Sequence, residues 1–472
     1  MELKKSKNRF EDVYDYLVHR IQRGEWKRDE KLPSVRELAT TLNMHRLTVL
    51  KAYQRLKAEN KVYVREKSGY FVHPGNASTF EQVDRPIITS YIQRSHLSEI
   101  HEIPATYQFS KALIDPNLLP NLYLAEYVKK VLDLYPKVLG TYSNVQGDEE
   151  LRETLALFFR KQDNLFIQVN ELLITSGAQQ AISMIAQAFI KPRDTILMEQ
   201  PTYSAAIDIF QHQGATILPV EITEEGYDLE QIEEYMKTYK PRLFYCNPTF
   251  QNPTGYTIPT SQRKKLVELA EEYHCLLLED DPFHDIYFDQ KPPRSMFTYD
   301  TGGHVIYIRS YSKYIAPGLR IAVVACRDSL MKLLITAKSM QDNGSPLLNQ
   351  KMFLHYFTSE RLQQHLDKLR IALKIRKEIM EEELKYSGWK WVSPQGGLNL
   401  WMELPSEISG EELLAASIPD SISFVPGNIC DPMKGNLNKV RLSFSFINER
   451  ELIKGTKRLM EIGNTLKKPT RA

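Results

Sequence analysis

The sequence is poor in cysteine: it has four, Cys246, Cys275, Cys326 and Cys430, scattered far apart. That spacing fits neither a zinc cluster nor a disulfide framework, so no metal is expected and a reducing cytoplasm is the simplest home. The chain also lacks any run of about 18 apolar residues, so no transmembrane helix is expected and no membrane partner. Its opening stretch, MELKKSKNRFEDVYDYL, lacks the apolar core of a secretory signal. Internal repeats and low-complexity tracts are missing as well. Net charge is small, only +2 over 472 residues. It is unevenly spread, however. Residues 1–75 hold 17 Lys and Arg against 10 Asp and Glu, a surplus of +7, which leaves −5 for the remainder. Such asymmetry points to a nucleic-acid-binding end or to a solvated basic face.

What is present begins with helical periodicity. Phe10, Val13, Tyr14, Leu17 and Ile21 fall on one face. A second helix opens at SVRE, where Ser34 and Glu37 read as a capping box after Pro33. In the third, NMHRLTVLKAYQRLKAEN, the stripe Val49, Ala52, Tyr53 and Leu56 is the expected buried side. Arg46, Lys51 and Arg55 lie off that stripe. Two alternating segments around Lys67-Ser68-Gly69 then signal a hairpin. Helix, helix-turn-helix and hairpin is the order of a winged helix, and a major groove admits one helix.

The stretch EKLPSVRELATTLNMHRLTVLKAYQRLKAENKVYVREKSGYFV resembles the GntR-type winged-helix module of bacterial regulators. The resemblance implies double-stranded operator DNA as partner, with Ser34, Arg36, Arg46, Thr48, Lys51, Arg55 and Gly69 near it. Ser34 also has a purely structural reading, as a helix cap. His45 stands where the family usually has Ser. The expected domain limits are a DNA-binding unit at 1–75, a linker at 76–105 and an effector unit at 106–472.

From about residue 106 the texture changes to α/β. Seven β-rich runs alternate with helical stretches: ELLITS, TILMEQ, ATILPVEI, RLFYCNP, CLLLEDD, VIYIRSYS and IAVVAC. They predict a mostly parallel seven-stranded sheet covered on both faces, followed by a smaller C-terminal α+β subdomain. In such sheets ligands sit beyond the carboxyl ends of the strands. ITSGAQQA ends one strand and opens a helix, a place where backbone N–H groups can meet an anion. LLLEDDPF ends another with Glu279, Asp280 and Asp281, whose carboxylates could hold a metal, cap a helix or pair with a cationic ring nitrogen. NPTFQNPTG is a Pro-rich turn carrying Asn247 and Asn252. Lys313, in SYSKYIAPGLR, is a strand-end lysine able to form a Schiff base with a carbonyl. A phosphate cradle, a carboxylate, an amide and a lysine together describe a pyridoxal 5'-phosphate (PLP) site.

The motif order is similar to that of fold-type I aminotransferases. By that resemblance Lys313 is the catalytic lysine and carries the cofactor, Asp280 pairs with the pyridine nitrogen and Asn252 bonds the phenolic oxygen. Gly177, Ala178, Gln179, Ser310, Ser312 and Arg320 would bind phosphate. Tyr203 would stack on the ring, Tyr142 would reach the partner subunit's site, and Arg441 would clamp an effector carboxylate, a task that suits a guanidinium. Two departures stand out: Phe283 where the family commonly has Tyr, and Ala322 where Gly is usual. A winged helix fused to such a domain is the layout of the MocR subfamily of GntR regulators. The resemblance implies a PLP-dependent transcriptional regulator, a head-to-tail homodimer, that senses an amino-acid-like effector or PLP itself. The alternative is a working, though weak, PLP-dependent aminotransferase.

Overall fold

The computed structural model describes residues 9–73, apart from 23, 24, 28, 60, 66 and 67, and residues 96–466, apart from 436. The chain divides into two units, 1–93 and 94–472.

In the first unit, α1 (Arg9–Gln22), α2 (Val35–Thr41) and α3 (Arg46–Ala58) precede strands β1 (Val62–Arg65) and β2 (Gly69–Val72). The stripe expected to be buried is buried: Val49, Ala52, Tyr53 and Leu56 join Val13, Leu17 and Leu38 in one core. Burial of these side chains gives short helices the stability they lack alone. Ser34 begins α2 as a capping box. Its Oγ accepts from the Glu37 amide at 3.2 Å, and the Glu37 carboxylate accepts from the Ser34 amide at 2.7 Å. His45 does the same job for α3, its Nδ1 accepting from the Leu47 amide at 3.3 Å. The imidazole that replaces the usual serine therefore still caps the helix. β1 and β2 form the expected antiparallel hairpin, Val62 opposite Val72 and Arg65 opposite Gly69. Lys67 lies outside the described residues. Gly69 has φ +113°, a conformation that favours glycine.

The second unit opens with a helix, His96–Glu102, inside the stretch expected to be linker. Its Leu97 and Ile100 are buried against Trp401, Val425 and Cys430. Two apolar residues one turn apart are too weak a periodic signal to mark a helix in the sequence, yet they suffice to dock it. The rest of the expected linker, up to residue 95, lies outside the described residues.

After β3 (Tyr107–Gln108), the seven predicted runs all form strands: β4 (Leu172–Thr175), β5 (Thr195–Gln200), β6 (Thr216–Thr223), β8 (Leu243–Cys246), β9 (Leu276–Asp281), β10 (Val305–Ser310) and β11 (Ala322–Ala325). An eighth, β7 (Gly226–Tyr227), is too short to read in the sequence and pairs back on β6. The order is β4-β11-β10-β9-β8-β5-β6-β7, with β11 antiparallel to both neighbours. β9 alternates between two cores, Leu277 facing one and Leu278 the other. Both faces are therefore covered, which explains the near-continuous apolar runs.

A 25-residue helix, Glu360–Leu384, leads to the smaller sheet of β12 (Asn399–Glu403), β14 (Val425–Pro426) and β15 (Lys439–Ser443), in the order β12-β15-β14. β13 (Ile422–Ser423) pairs in parallel with β3. The segment that precedes the large sheet thus belongs structurally with the C-terminal subdomain. Its residues 109–112 run beside Arg441 and Ser443 of β15.

Candidate functional site

Three strand ends of the large sheet meet at one place. β9 brings Asp280, β10 brings Ser310 with the loop to Lys313, and β4 brings Ser176 and Gly177. Asp280 is buried, and its Oδ2 accepts from the Tyr245 hydroxyl at 2.8 Å. Its other oxygen, Oδ1, is buried with no partner. Burial raises the carboxyl to about 7, against the pull of the Tyr245 hydrogen bond. A buried, half-satisfied carboxylate calls for a cationic or N–H-bearing partner.

Asn247 fixes this strand end from below. Its Nδ2 donates to the Asp280 carbonyl at 2.7 Å and its Oδ1 accepts from the Asn252 amide at 3.2 Å. Asn252 Oδ1 in turn accepts from Arg441 Nη1 at 3.2 Å. Arg441 is buried, donates Nη2 to the Ser110 carbonyl at 2.6 Å, and leaves Nε without a partner. Among the described residues no carboxylate pairs with it. Lys313 donates to the Ala112 carbonyl at 3.2 Å. Burial first, then Arg441 and Arg320, brings its amine down to about 8.

On the other side, Gly177 (φ +98°) caps the helix Ala178–Phe189 with no side-chain acceptor for the first-turn amides. Arg320 donates Nη2 to the Ser176 carbonyl at 2.9 Å and lies against Gly177 so closely that a Cβ there would collide with the guanidinium. Ser310 and Ser312 are buried beside this cradle, Ser312 donating to the Ile321 carbonyl at 3.3 Å. A helix N-terminus without a side-chain cap, an arginine and two hydroxyls are groups that suit an anion. Tyr203 caps the neighbouring helix, and burial together with Asp280 pushes its phenol up to about 12.

Both units match known families. Residues 118–457 match the model of aminotransferase class I and II, and residues 9–72 match the GntR family of bacterial regulatory proteins. The chain belongs to the class I and II aminotransferases. The 2-aminoadipate transaminase of Thermus thermophilus is 32% identical over 78% of this chain and 93% of its own. The uncharacterized HTH-type transcriptional regulator YdfD of Bacillus subtilis is 29% identical over 97% of this chain and 96% of its own, winged helix included. Among solved structures, kynurenine aminotransferase of Pyrococcus horikoshii, complexed with PMP, superposes with a TM-score of 0.76 at 29% identity, covering 81% of this chain and 97% of that one. The chain is thus a MocR-like fusion of a GntR helix-turn-helix and a fold-type I domain, and its cofactor is PLP. The site fits that group: the orphaned Asp280 oxygen suits a protonated ring nitrogen, and the Gly177–Arg320 cradle suits a phosphate.

Tyr203, Asp280, Lys313, Arg320 and Arg441 lie close enough to act on one another's charges, Gly177 lies against Arg320 and Asn252 is bonded to Arg441, while Ala178, Gln179, Ser310 and Ser312 adjoin them in the chain. Tyr142 is 84% exposed, and no hydrogen bond or ring contact among the described residues joins it to these. Ala322 is accommodated as a fully buried residue opposite Ser310 and Thr175. Phe283 is buried too, beside Gly397. Sequence reasoning missed Tyr245, two residues before Asn247 and so on the same strand face, a signal that was available. It also missed His101, in the unexpected helix, whose Nε2 lies 3.2 Å from the Ser110 carbonyl.

On the winged helix, Arg36, Arg46 and Lys51 are exposed, and Thr48 is half-buried on α3. Arg55, off the buried stripe as expected, is engaged by neighbours within the unit. Its Nε donates to Glu59 at 3.0 Å and its guanidinium stands 4.2 Å over the Tyr14 ring. Its position one turn from the C-terminus of α3 places it against α1. No helix among the described residues is long and apolar enough to cross a membrane.

Proposed function

We propose that this protein is a cytoplasmic, PLP-dependent transcriptional regulator that binds operator DNA through α3 and the wing and senses an amino-acid-like effector in the fold-type I unit. A head-to-tail homodimer, in which Tyr142 completes the partner's pocket, belongs to this reading. So do a winged helix to residue 75 and an effector unit that begins with the helix His96–Glu102, ahead of the limit of 106 expected from the sequence. The observation that carries it is Arg441: a buried guanidinium with no carboxylate partner among the described residues, beside Lys313 and in the same chain as an exposed Arg46 and Lys51. A buried charge of this kind awaits an anion.

When bound, PLP supplies an aldehyde for amines and an electron-withdrawing ring. The chain's own residues do the rest. Lys313, with its lowered affinity for protons, offers a nucleophilic amine near neutral pH. Asp280 would hold the ring proton, Tyr203 would cover the ring face, and the Gly177–Arg320 cradle with Ala178, Gln179, Ser310 and Ser312 would fix the phosphate. Asn252 would donate to the phenolic oxygen, and Arg441 would take the effector carboxylate. Such a ligand changes DNA binding only if it binds one arrangement of the protein better than the other.

The alternative, a working aminotransferase, is favoured by the completeness of the pocket and opposed by Phe283, which has no hydroxyl to offer. Amino-acid titration of the purified protein, followed by cofactor absorbance and operator binding together, separates them. Coupled changes support the regulator. Rapid turnover of an amino acid with DNA binding unmoved supports the enzyme.

A further inference from the structure

A second cavity, of about 300 Å3, touches the loop that carries Lys313. Tyr311, Tyr314 and Ile315, close to Lys313 in the chain, line it, and none of the candidate cofactor residues does. A π-helical turn, Phe159–Asp163, brings Asp163 to it, and the long helix Glu360–Leu384 brings Gln363, Leu366 and Arg370. Its two carboxylates are already engaged. Asp285 accepts twice from Arg309 Nη2, at 2.8 and 3.0 Å, and once from the Tyr314 hydroxyl at 2.5 Å. Asp163 accepts from Arg309 Nη1 at 2.5 Å. His284 is engaged by Asp281, 2.7 Å from its Nδ1. The groups left over are donors. Arg309 is 1% exposed and its Nε has no partner; Tyr311 is 2% exposed and its hydroxyl has none. Arg370 gives Nε to the Asp285 carbonyl at 2.8 Å and Nη1 to Asp367 at 3.0 Å, which leaves Nη2. Lys291 is exposed, and among the described residues no carboxylate pairs with it.

A buried donor without an acceptor costs free energy, so an occupant of this cavity gains by bringing acceptors. The rest of the lining is rich in rings: Phe158, Tyr287, Tyr311, Tyr314 and Phe357. Such walls suit a flat, aromatic body. We propose that this cavity is a second small-molecule site, separate from the cofactor pocket, and that its ligand is an aromatic carboxylic acid with an oxygen on the ring. Lys291 and Arg370 are the cations with donors to spare, so they receive the carboxylate in charge-assisted bonds. The deep end suits the neutral ring oxygen instead. There Tyr311 and Arg309 lack an acceptor, while Asp163 and Asp285 would repel a second negative charge.

The test uses the full-length, PLP-loaded protein and two probes of equal shape, 6-hydroxy-2-naphthoate and its neutral amide, with affinity read by titration calorimetry. Wild type should bind the acid about tenfold or more tightly than the amide, since a charge-assisted bond is lost in the amide. Arg441 is a competing home for any carboxylate, so the titration is repeated in Arg441→Ala, where the affinity for the acid should be unchanged. Lys291→Glu, at an exposed position, should weaken the acid by about tenfold or more and leave the amide alone. Gln363→Trp, which adds bulk at another exposed position of the lining, should weaken both. No binding in wild type, which leaves the cavity to water, overturns the proposal. So do equal affinities for acid and amide, loss of binding in Arg441→Ala, or an unmoved affinity for the acid in Lys291→Glu. The wild-type comparison needs no variant, so poor folding of a variant does not rescue the idea.

Discussion

Arg320 and Gly177 interlock, and both are left-handed: φ is +55° at the arginine and +98° at the glycine. The turn at Arg320 aims its guanidinium back across the sheet end, and only the missing side chain at residue 177 lets it lie there. From the anchored guanidinium and the open amides of the following helix comes a cradle rigid enough to hold a phosphate before it arrives.

Gly177→Ala should therefore damage cofactor binding more than folding. The new Cβ strains the backbone and displaces Arg320. A strained φ of this kind costs about 1–3 kcal/mol, so PLP affinity should fall by roughly tenfold or more. Absorbance titration of cofactor-free protein with PLP measures it. Operator affinity of the cofactor-free variant should match wild type.

The amine of Lys313 gives a pH prediction. Its pKa is lowered to about 8, chiefly by burial. The neutral amine is the nucleophile. In cofactor-free protein, the rate of PLP capture should climb about tenfold per pH unit below 8 and level off above it. Asp280 is the one neighbour that raises this pKa. Asp280→Asn should thus move the plateau to lower pH, as well as weakening the hold on PLP. Stopped-flow absorbance reads both; a plateau moved to higher pH would contradict the assignment.

Much of this was legible in the sequence, and the reasons differ by residue. Lys313, Asp280 and Arg320 announce themselves because strand ends and rigid turns put chemistry at fixed spacings. The α3 stripe is legible because a helix buries one face. For Arg55, periodicity says only that it leaves the core, and not that Glu59 one turn on and Tyr14 of α1 will engage it. His101 was invisible. It lies in a short helix whose existence depends on Trp401, Val425 and Cys430, some 300 residues away in the chain.

Arg46 and Arg55 should separate when mutated. Arg46 is exposed, so Arg46→Ala should weaken operator binding by about 1–3 kcal/mol if it reads a base, with little change in melting. Arg55→Ala breaks the Glu59 pair and the contact with Tyr14, so it should lower the melting temperature of the winged helix. Glu59 is held down at about 2, first by its hydrogen bond from Lys61 and then by Tyr14. A depressed carboxylate stabilises above its unfolded pKa near 4.5 and loses that effect as pH falls toward 2. The melting difference between wild type and Glu59→Gln should hold above pH 5 and shrink below 4.5. Fluorescence anisotropy and thermal melts over that range check the pair.

Phe283→Tyr tests how good a catalyst this pocket can be. Its ring is 1% exposed and lies beside Gly397, so a hydroxyl added to it would point into a dry place. Tyr287 does not stand in for it: Arg370 covers that ring at 3.9 Å, and the residue lines a different cavity with Asp285 and Arg309. In the cofactor-free protein, the hydroxyl of Phe283→Tyr has no partner and should cost about 1–3 kcal/mol. With PLP bound, it should gain the phenolic oxygen as acceptor and recover that loss. The rise in melting temperature on adding PLP should therefore be larger in Phe283→Tyr than in wild type. A hydrogen bond to a charged oxygen is worth about 1.5–3 kcal/mol, or about one to two decades of rate if fully expressed in the transition state. The variant should also show its cofactor colour change at lower pH, because the new donor favours the ionised phenolic oxygen. Its half-reaction with an amino acid should quicken by up to that factor. If wild type already turns over an amino acid at ordinary aminotransferase rates, and Phe283→Tyr alters neither the colour change nor the rate, Phe283 is no brake on the chemistry and the enzyme reading takes precedence.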